Sequence, residues 1–136
     1  MMKDDCIFCK LANGVFATRS IYEDEDFNVI LDLAPATKGH ALILPKQHAD
    51  NLYDLPDETA AKAFVLAKKL AQKMTDKLGC DGFNIVQNNG TVAGQTVFHF
   101  HLHLIPRYKE DGQQICWTPM EVEAEVLDHV KEMLSE

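Results

Sequence analysis

Hydrophobic and polar positions along the chain follow two distinct periods. The stretch Val97-Phe98-His99-Phe100-His101-Leu102-His103-Leu104-Ile105 alternates strictly, and side chains on a β-strand point to opposite faces in turn. A strand over residues 97–106 carries His99, His101 and His103 on one face and Phe98, Phe100, Leu102 and Leu104 on the other. A helix would scatter these histidines around its circumference. Residues 21–23, 27–33, 39–45 and 82–88 read as four further strands, the first two joined by the acidic turn Glu23-Asp24-Glu25-Asp26. In the third, His40, Leu42 and Leu44 alternate with Ala41 and Ile43.

A helical period takes over elsewhere. Ala60, Ala63, Phe64, Ala67, Leu70, Ala71, Met74 and Leu78 fall on one face of a long helix beginning near Pro56. Asp54 is placed to cap it, with Pro56 in the first turn, Asp57 and Glu58 complementing the dipole, and Gly79 ending it. Residues 7–12 predict a short helix stopped by Asn13-Gly14. Thr118-Pro119-Met120-Glu121 reads as a capping box that opens a last amphipathic helix, ending near Leu134. The expected class is α+β, with about five mainly antiparallel strands, one long central helix and a C-terminal helix. The long helix is expected over Phe98, Phe100, Leu102 and Leu104, leaving the histidine face open.

Length and composition narrow the setting. The 136 residues form a single domain over 1–136, with no repeat and no linker rich in Pro, Gly or Ser. Thirteen basic residues against 21 acidic ones give a net charge of −8, which argues against nucleic acid as a partner. No apolar run is long enough to span a membrane. The amino terminus lacks the apolar core of a secretory signal, so a cytoplasmic location is expected. Cys80 and Cys116 are isolated, whereas Cys6 and Cys9 form a Cys-x-x-Cys pair, a spacing shared by zinc knuckles and redox pairs.

Two chemistries suit three imidazoles on one strand face. Same-face neighbours lie about 7 Å apart, so two rings can hold a metal ion between them. Alternatively, a neutral imidazole can attack phosphorus while a neighbouring ring protonates the leaving group. The loop ahead of the strand, Asn88-Asn89-Gly90-Thr91-Val92-Ala93-Gly94-Gln95-Thr96, favours the second. Its glycines let backbone N–H groups approach a ligand, and the Thr96 hydroxyl stands beside them.

Gly94-Gln95-Thr96 followed by the three alternating histidines resembles the signature of the histidine triad (HIT) superfamily, His-φ-His-φ-His-φ-φ, where φ is apolar. The resemblance extends over nearly the whole chain. It takes in Cys6-Ile7-Phe8-Cys9, Asp32 with Pro35, Gly39-His40 and Pro45-Lys46-Gln47-His48. It implies a HIT-like fold and hydrolysis at the α-phosphate of a purine nucleotide conjugate. By the same resemblance His101 is the nucleophile that carries a transient nucleotidyl group. His103 serves phosphate and leaving group, His99 supports the nucleophile, and His40 stands close to the triad. Asn88, Gly94, Gln95 and Thr96 fall where the family contacts phosphates or leaving group. Asp32 matches the carboxylate on the ribose, and Ile7, Phe8 and Leu33 the walls of the base pocket.

Bacterial members with a Cys-x-x-Cys and a Pro-Lys-x-His bind structural zinc, which implies Cys6, Cys9, His48 and His99 as ligands here. The resemblance also implies a homodimer. Asn88 is similar to the Hint branch, which cleaves nucleoside phosphoramidates and acyl-adenylates. The alternatives are the Fhit branch, which cleaves dinucleoside polyphosphates, a non-catalytic nucleotide- or zinc-binding module, and a catalytic metal site on the histidines.

Overall fold

Strands β1 (Ser20–Glu23), β2 (Phe27–Leu31), β3 (Ala41–Pro45), β4 (Gly82–Val86) and β5 (Leu102–Arg107) form one sheet in the order β1-β2-β3-β5-β4. The computed structural model describes residues 2–135. Every strand pair in it is antiparallel. Helix α1 (Ile7–Ala12) precedes the sheet, α2 (Asp57–Leu78) crosses between β3 and β4, and α3 (Ala124–Leu134) follows β5. The class is α+β, as the periodicity implies.

The two faces of the sheet are covered by different helices. Phe27, Val29, Ala41, Ile43, Leu102 and Leu104 bury one face against Ala63, Leu66, Ala67, Leu70 and Met74 of α2. Ile30, Leu42 and Leu44 face the other way, against Phe8, Leu11 and Ala12 of α1. Both faces of the central strand β3 are therefore apolar, and all five of its residues are buried. Leu104 lies at the middle of the larger cluster and is 0% exposed, so truncating it to Ala costs about 2–5 kcal/mol.

Four details depart from the sequence pattern. Helix α2 begins one residue later than expected, with Pro56 at the cap and no side-chain capping bond from Asp54. Phe64 turns out of the core at 61% exposed, and Leu66 takes the buried place. Strand β5 starts at Leu102 rather than Val97, because the Phe100 N–H leaves the ladder for the Ala49 carbonyl at 2.7 Å. Consequently Phe100 packs in the core but Phe98 is 49% exposed. The Thr118 box stays in coil, and α3 starts only after Glu123. A cap contributes about 1 kcal/mol, too little to hold an extra turn that no tertiary contact supports. No residue of α3 is buried.

Candidate active site and metal centre

The histidine face is the face that α1 covers. His103 sits on β5, paired with Leu42 of β3 and Val86 of β4. His99 and His101 continue toward α1 in the segment before the strand. Contrary to the open face expected, His99 is 0% and His101 9% exposed. Phe8 of α1 presents its edge to His101 at 4.9 Å between ring centres and to His99 at 6.1 Å. The reason is the apolar floor of Ile30, Leu42 and Leu44, which draws α1 onto this face.

Backbone partners fix which nitrogen of each ring carries the proton. The His101 Nδ1–H donates to the His99 carbonyl at 2.7 Å, leaving the lone pair on Nε2. The Ala36 N–H donates to His40 Nδ1 at 2.9 Å, so the proton of neutral His40 is on Nε2. That N–H meets His103 Nδ1 at 3.0 Å, with Asp32 Oδ2 3.6 Å away. His103 accepts through Nδ1 and so keeps its own proton on Nε2. Burial holds these rings neutral. It pushes His103 down to about 4, helped by the nearby His101 and His40. It also lowers His101, against the opposing pull of the His99 carbonyl and Asp32, and His40, against Asp32. The face therefore presents an unprotonated Nε2 on His101 beside a protonated Nε2 on His103, with ring centres 4.9 Å apart.

Cys6 Sγ, Cys9 Sγ, His48 Nδ1 and His99 Nδ1 lie within 4.8 Å of one another. Sulfur–nitrogen separations are 3.4 Å for Cys6–His99, 3.3 Å for Cys9–His48 and 3.4 Å for Cys9–His99. Two donors sharing one zinc at bond lengths near 2.3 and 2.0 Å lie roughly 3.5 Å apart. The far side of each ring also fits. The His99 Nε2–H donates to the Pro45 carbonyl at 2.9 Å and the His48 Nε2–H to Asp50 Oδ1 at 2.6 Å, so both Nδ1 lone pairs face the sulfurs. Backbone N–H groups of Lys3 and Cys9 point at Cys9 Sγ and Cys6 Sγ, each at 3.3 Å, and so orient both sulfurs. Burial, with Cys6 beside it, pushes the Cys9 thiol up against the Lys3 N–H, and a bound cation reverses that.

Asp32, His40 and His103 also converge within 4.8 Å, but their chemistry differs. His40 Nδ1 is already an acceptor, so Nε2 retains its proton and offers no lone pair to a cation. The donor set of Cys6, Cys9, His48 and His99 fits zinc; the second cluster is a hydrogen-bond relay. Both contain two histidines, and the partner on the far nitrogen separates them, a carbonyl behind His99 and a carboxylate behind His48 but an N–H behind His40.

A pocket of about 250 Å³ opens between α1 and the sheet. It brings together Phe8, Asp32 and Leu33 of the expected ligand-binding residues, with Leu33 84% exposed at its rim. Ile7 is not among them. It lies on the other side of α1, in a cleft with Cys6, His48 and Thr96, because consecutive helical residues point about 100° apart. Leu11, Arg19, Ile30 and Leu42 line the pocket without having been singled out by the sequence pattern. Leu11 follows Phe8 by three positions and could have been found from that spacing; Arg19 carries no such signal.

In the loop before the histidine segment, Thr96 is exposed and Asn88 half-buried. Gly94 has φ +101°, a conformation L side chains rarely adopt. Gln95 is 2% exposed. Its Nε2 donates to the Asp50 and Val97 carbonyls at 2.7 and 3.0 Å, and its Oε1 accepts from Gly90 N–H at 2.8 Å. Its amide thus braces the loop from within, where the family resemblance implied a ligand contact.

Residues 13–110 match the family model described as HIT domain. The chain belongs to the HIT family. A crystal structure of a Streptococcus mutans protein is similar to this HIT protein, with TM-score 0.93 and 38% identity over 98% of this chain and 85% of that one. A zinc-bound histidine triad family protein from Mycobacterium smegmatis has TM-score 0.77 and 41% identity, covering 85% of this chain and 84% of its own. The adenosine 5'-monophosphoramidase of Saccharomyces cerevisiae is 40% identical over 132 residues, 96% of this chain and 81% of its own. Nucleotide hydrolases thus stand among the relatives of this HIT protein. No helix among its described residues is long and apolar enough to cross a membrane.

Proposed function

We propose that this HIT protein hydrolyses purine nucleoside phosphoramidates or acyl-adenylates at the α-phosphate through a nucleotidyl intermediate on His101. The observation that carries this reading is the 2.7 Å bond from His101 Nδ1–H to the His99 carbonyl. It leaves a neutral ring with its lone pair on Nε2, the form a nucleophile needs. It also stabilises the positive ring that forms as Nε2 bonds to phosphorus.

The phosphate's negative charge favours a protonated His103, so His103 takes up a proton on Nδ1 with the substrate, and the His40 Nε2–H turns from that nitrogen to Asp32 Oδ2, 3.6 Å away. As the Nε2–P bond forms, the bond to the leaving group breaks and that group departs with its electron pair and the His103 proton. Water then attacks phosphorus and passes a proton to His103, and the P–N electron pair returns to His101. The Thr96 hydroxyl stabilises the phosphoryl oxygens, while the N–H groups of Ala93, Gly94 and Gln95 close the loop on its own Gly90 and Thr91 carbonyls. Asp32 accepts from the ribose hydroxyls, while Phe8, Leu11 and Leu33 hold the base. Asn88 lies beside the phosphate path, and Gln95 keeps the loop in shape.

Cys6, Cys9, His48 and His99 hold zinc, supported by their donor geometry and by the zinc-bound relative. The ion ties the amino-terminal segment to the residues flanking the nucleophile and takes no part in the reaction. A catalytic ion on His40 and His103 is disfavoured by the proton on His40 Nε2. A non-catalytic binding module is disfavoured by the intact nucleophile and relay.

The protein acts as a single domain in the cytoplasm and as a homodimer. The second copy is supported by the uncovered apolar residues Val126, Leu127, Val130 and Met133 of α3 and by Trp117, which is 85% exposed. The phosphoramidase relative favours P–N bonds over dinucleoside polyphosphates. Incubation with adenosine 5'-phosphoramidate tests the reading: AMP is released by the wild type, and His101→Ala abolishes release. Normal turnover by His101→Ala excludes the assignment.

A further inference from the structure

Two hydrogen-bonded residues connect the metal centre to the loop in front of the nucleophile, and neither touches the metal-facing atoms or the nucleotide pocket. Asp50 receives the His48 Nε2–H on its carboxylate at 2.6 Å while its backbone carbonyl receives Gln95 Nε2 at 2.7 Å. Gln95 in turn holds both ends of the loop, the Gly90 N–H on Oε1 at 2.8 Å and the Val97 carbonyl on Nε2 at 3.0 Å. The backbone N–H of Gln95 closes the same loop on the Gly90 carbonyl at 3.0 Å. At 2% exposure Gln95 has no water to replace these partners.

We propose that Asp50 and Gln95 are positioning residues that tie the Cys6/Cys9/His48/His99 centre to residues 90–97, so that zinc occupancy sets the order of the loop beside His101. The inference rests on the zinc reading above and is independent of which substrate is cleaved. Zinc fixes the His48 ring from its Nδ1 side, and the opposite nitrogen then holds the Asp50 carboxylate in one position. Fixing Asp50 fixes its carbonyl, and so the Gln95 amide and the two ends of the loop. Without the ion only the weak Cys9 Sγ contact at 3.3 Å holds the Nδ1 side of His48, and one anchor of the brace is loosened. Coupling of this kind is reciprocal, so loosening the loop must also weaken zinc binding.

Hydrogen exchange of the full-length protein, with zinc added or removed by a chelator, reads the link without any turnover. In the wild type zinc slows exchange of the 90–97 amides by about fivefold or more. Gln95→Glu keeps the shape but sets an acceptor against the Asp50 and Val97 carbonyls, and Gln95→Ala removes the brace. In both, zinc no longer slows the loop, although the α2 amides stay protected and report an intact fold. Asp50→Ala, at a half-exposed side chain, weakens zinc binding by about 10- to 100-fold in competition with a chelating dye, and Asp50→Asn partly restores it. Zinc-dependent slowing that persists in both Gln95 variants overturns the proposal. If those variants lose α2 protection, zinc affinity in Asp50→Ala decides: a value within twofold of wild type overturns it. An enzyme inactive on phosphoramidates would sink the substrate reading and leave these results unchanged.

Discussion

His40 Nε2 lies 3.0 Å from His103 Nδ1, and the Ala36 N–H behind His40 makes His40 the donor of that bond. The relation orients His103 with its proton on the nitrogen that serves the substrate. Removing it in His40→Ala lets the His103 ring take either tautomer, and kcat on adenosine 5'-phosphoramidate falls by about 10- to 100-fold, within the range of a single proton-transfer group. His40→Asn keeps an N–H donor and recovers part of the loss. Equal rates for the Ala and Asn variants would remove His40 from the relay.

Asp32 is expected to act on binding. One carboxylate oxygen accepts from Ala34 N–H at 2.9 Å, and the other faces His40. Charge-assisted bonds to two ribose hydroxyls are each worth about 1.5–3 kcal/mol. Asp32→Asn therefore raises KM by about 10- to 100-fold with a smaller change in kcat. A 2′-deoxy substrate gives the wild type a similar penalty and the variant little more. An unchanged KM for Asp32→Asn contradicts the ribose assignment.

Buried neutral histidines make stability fall with acid. His103 is pushed down to about 4 from 6.5, so between those values the unfolded chain binds the extra proton. Unfolding free energy consequently rises with pH across that window and is flat for this group below it. The full shift corresponds to about 3 kcal/mol as an upper bound. Urea midpoints measured at pH 7 and pH 4.5 should separate less in His103→Asn than in the wild type. An identical separation would show that His103 is solvated.

Metal loading is expected to be visible in melting temperature. An ion that binds only the folded chain stabilises it by about 2.7 kcal/mol at a hundredfold excess over Kd. Added zinc raises the wild-type Tm by several degrees, and Cys9→Ala abolishes the rise. A Tm insensitive to zinc in the wild type argues against the centre.

How far the sequence reveals this site depends on what fixes each residue. The alternation at Leu42, Leu44, Leu102 and Leu104 is governed by burial alone, so it marks the sheet correctly. Gly79 ends α2 with φ +66°, a local requirement that the sequence carries openly. The start of β5 depends instead on the Ala49 carbonyl, which is remote in sequence, so period two extends further than the strand. Ile7 and Phe8 are equally apolar, and only the docking of α1 decides which one enters the pocket. The roles of Gln95 and Asp50 rest on partners 45 and 2 positions away, and no local pattern announces the longer link. The His-x-His spacing likewise hides the tautomers, which backbone groups at Pro45, His99 and Ala36 decide.

The central claim is that His101 Nε2 carries the nucleotidyl group. Mass spectrometry of the protein quenched during turnover of adenosine 5'-phosphoramidate tests it most directly. A peptide containing His101 should gain the mass of one adenylyl group, with fragmentation locating it on that residue and no adduct in His101→Ala. An adduct on His99 or His103, or full turnover by His101→Ala, would contradict the account.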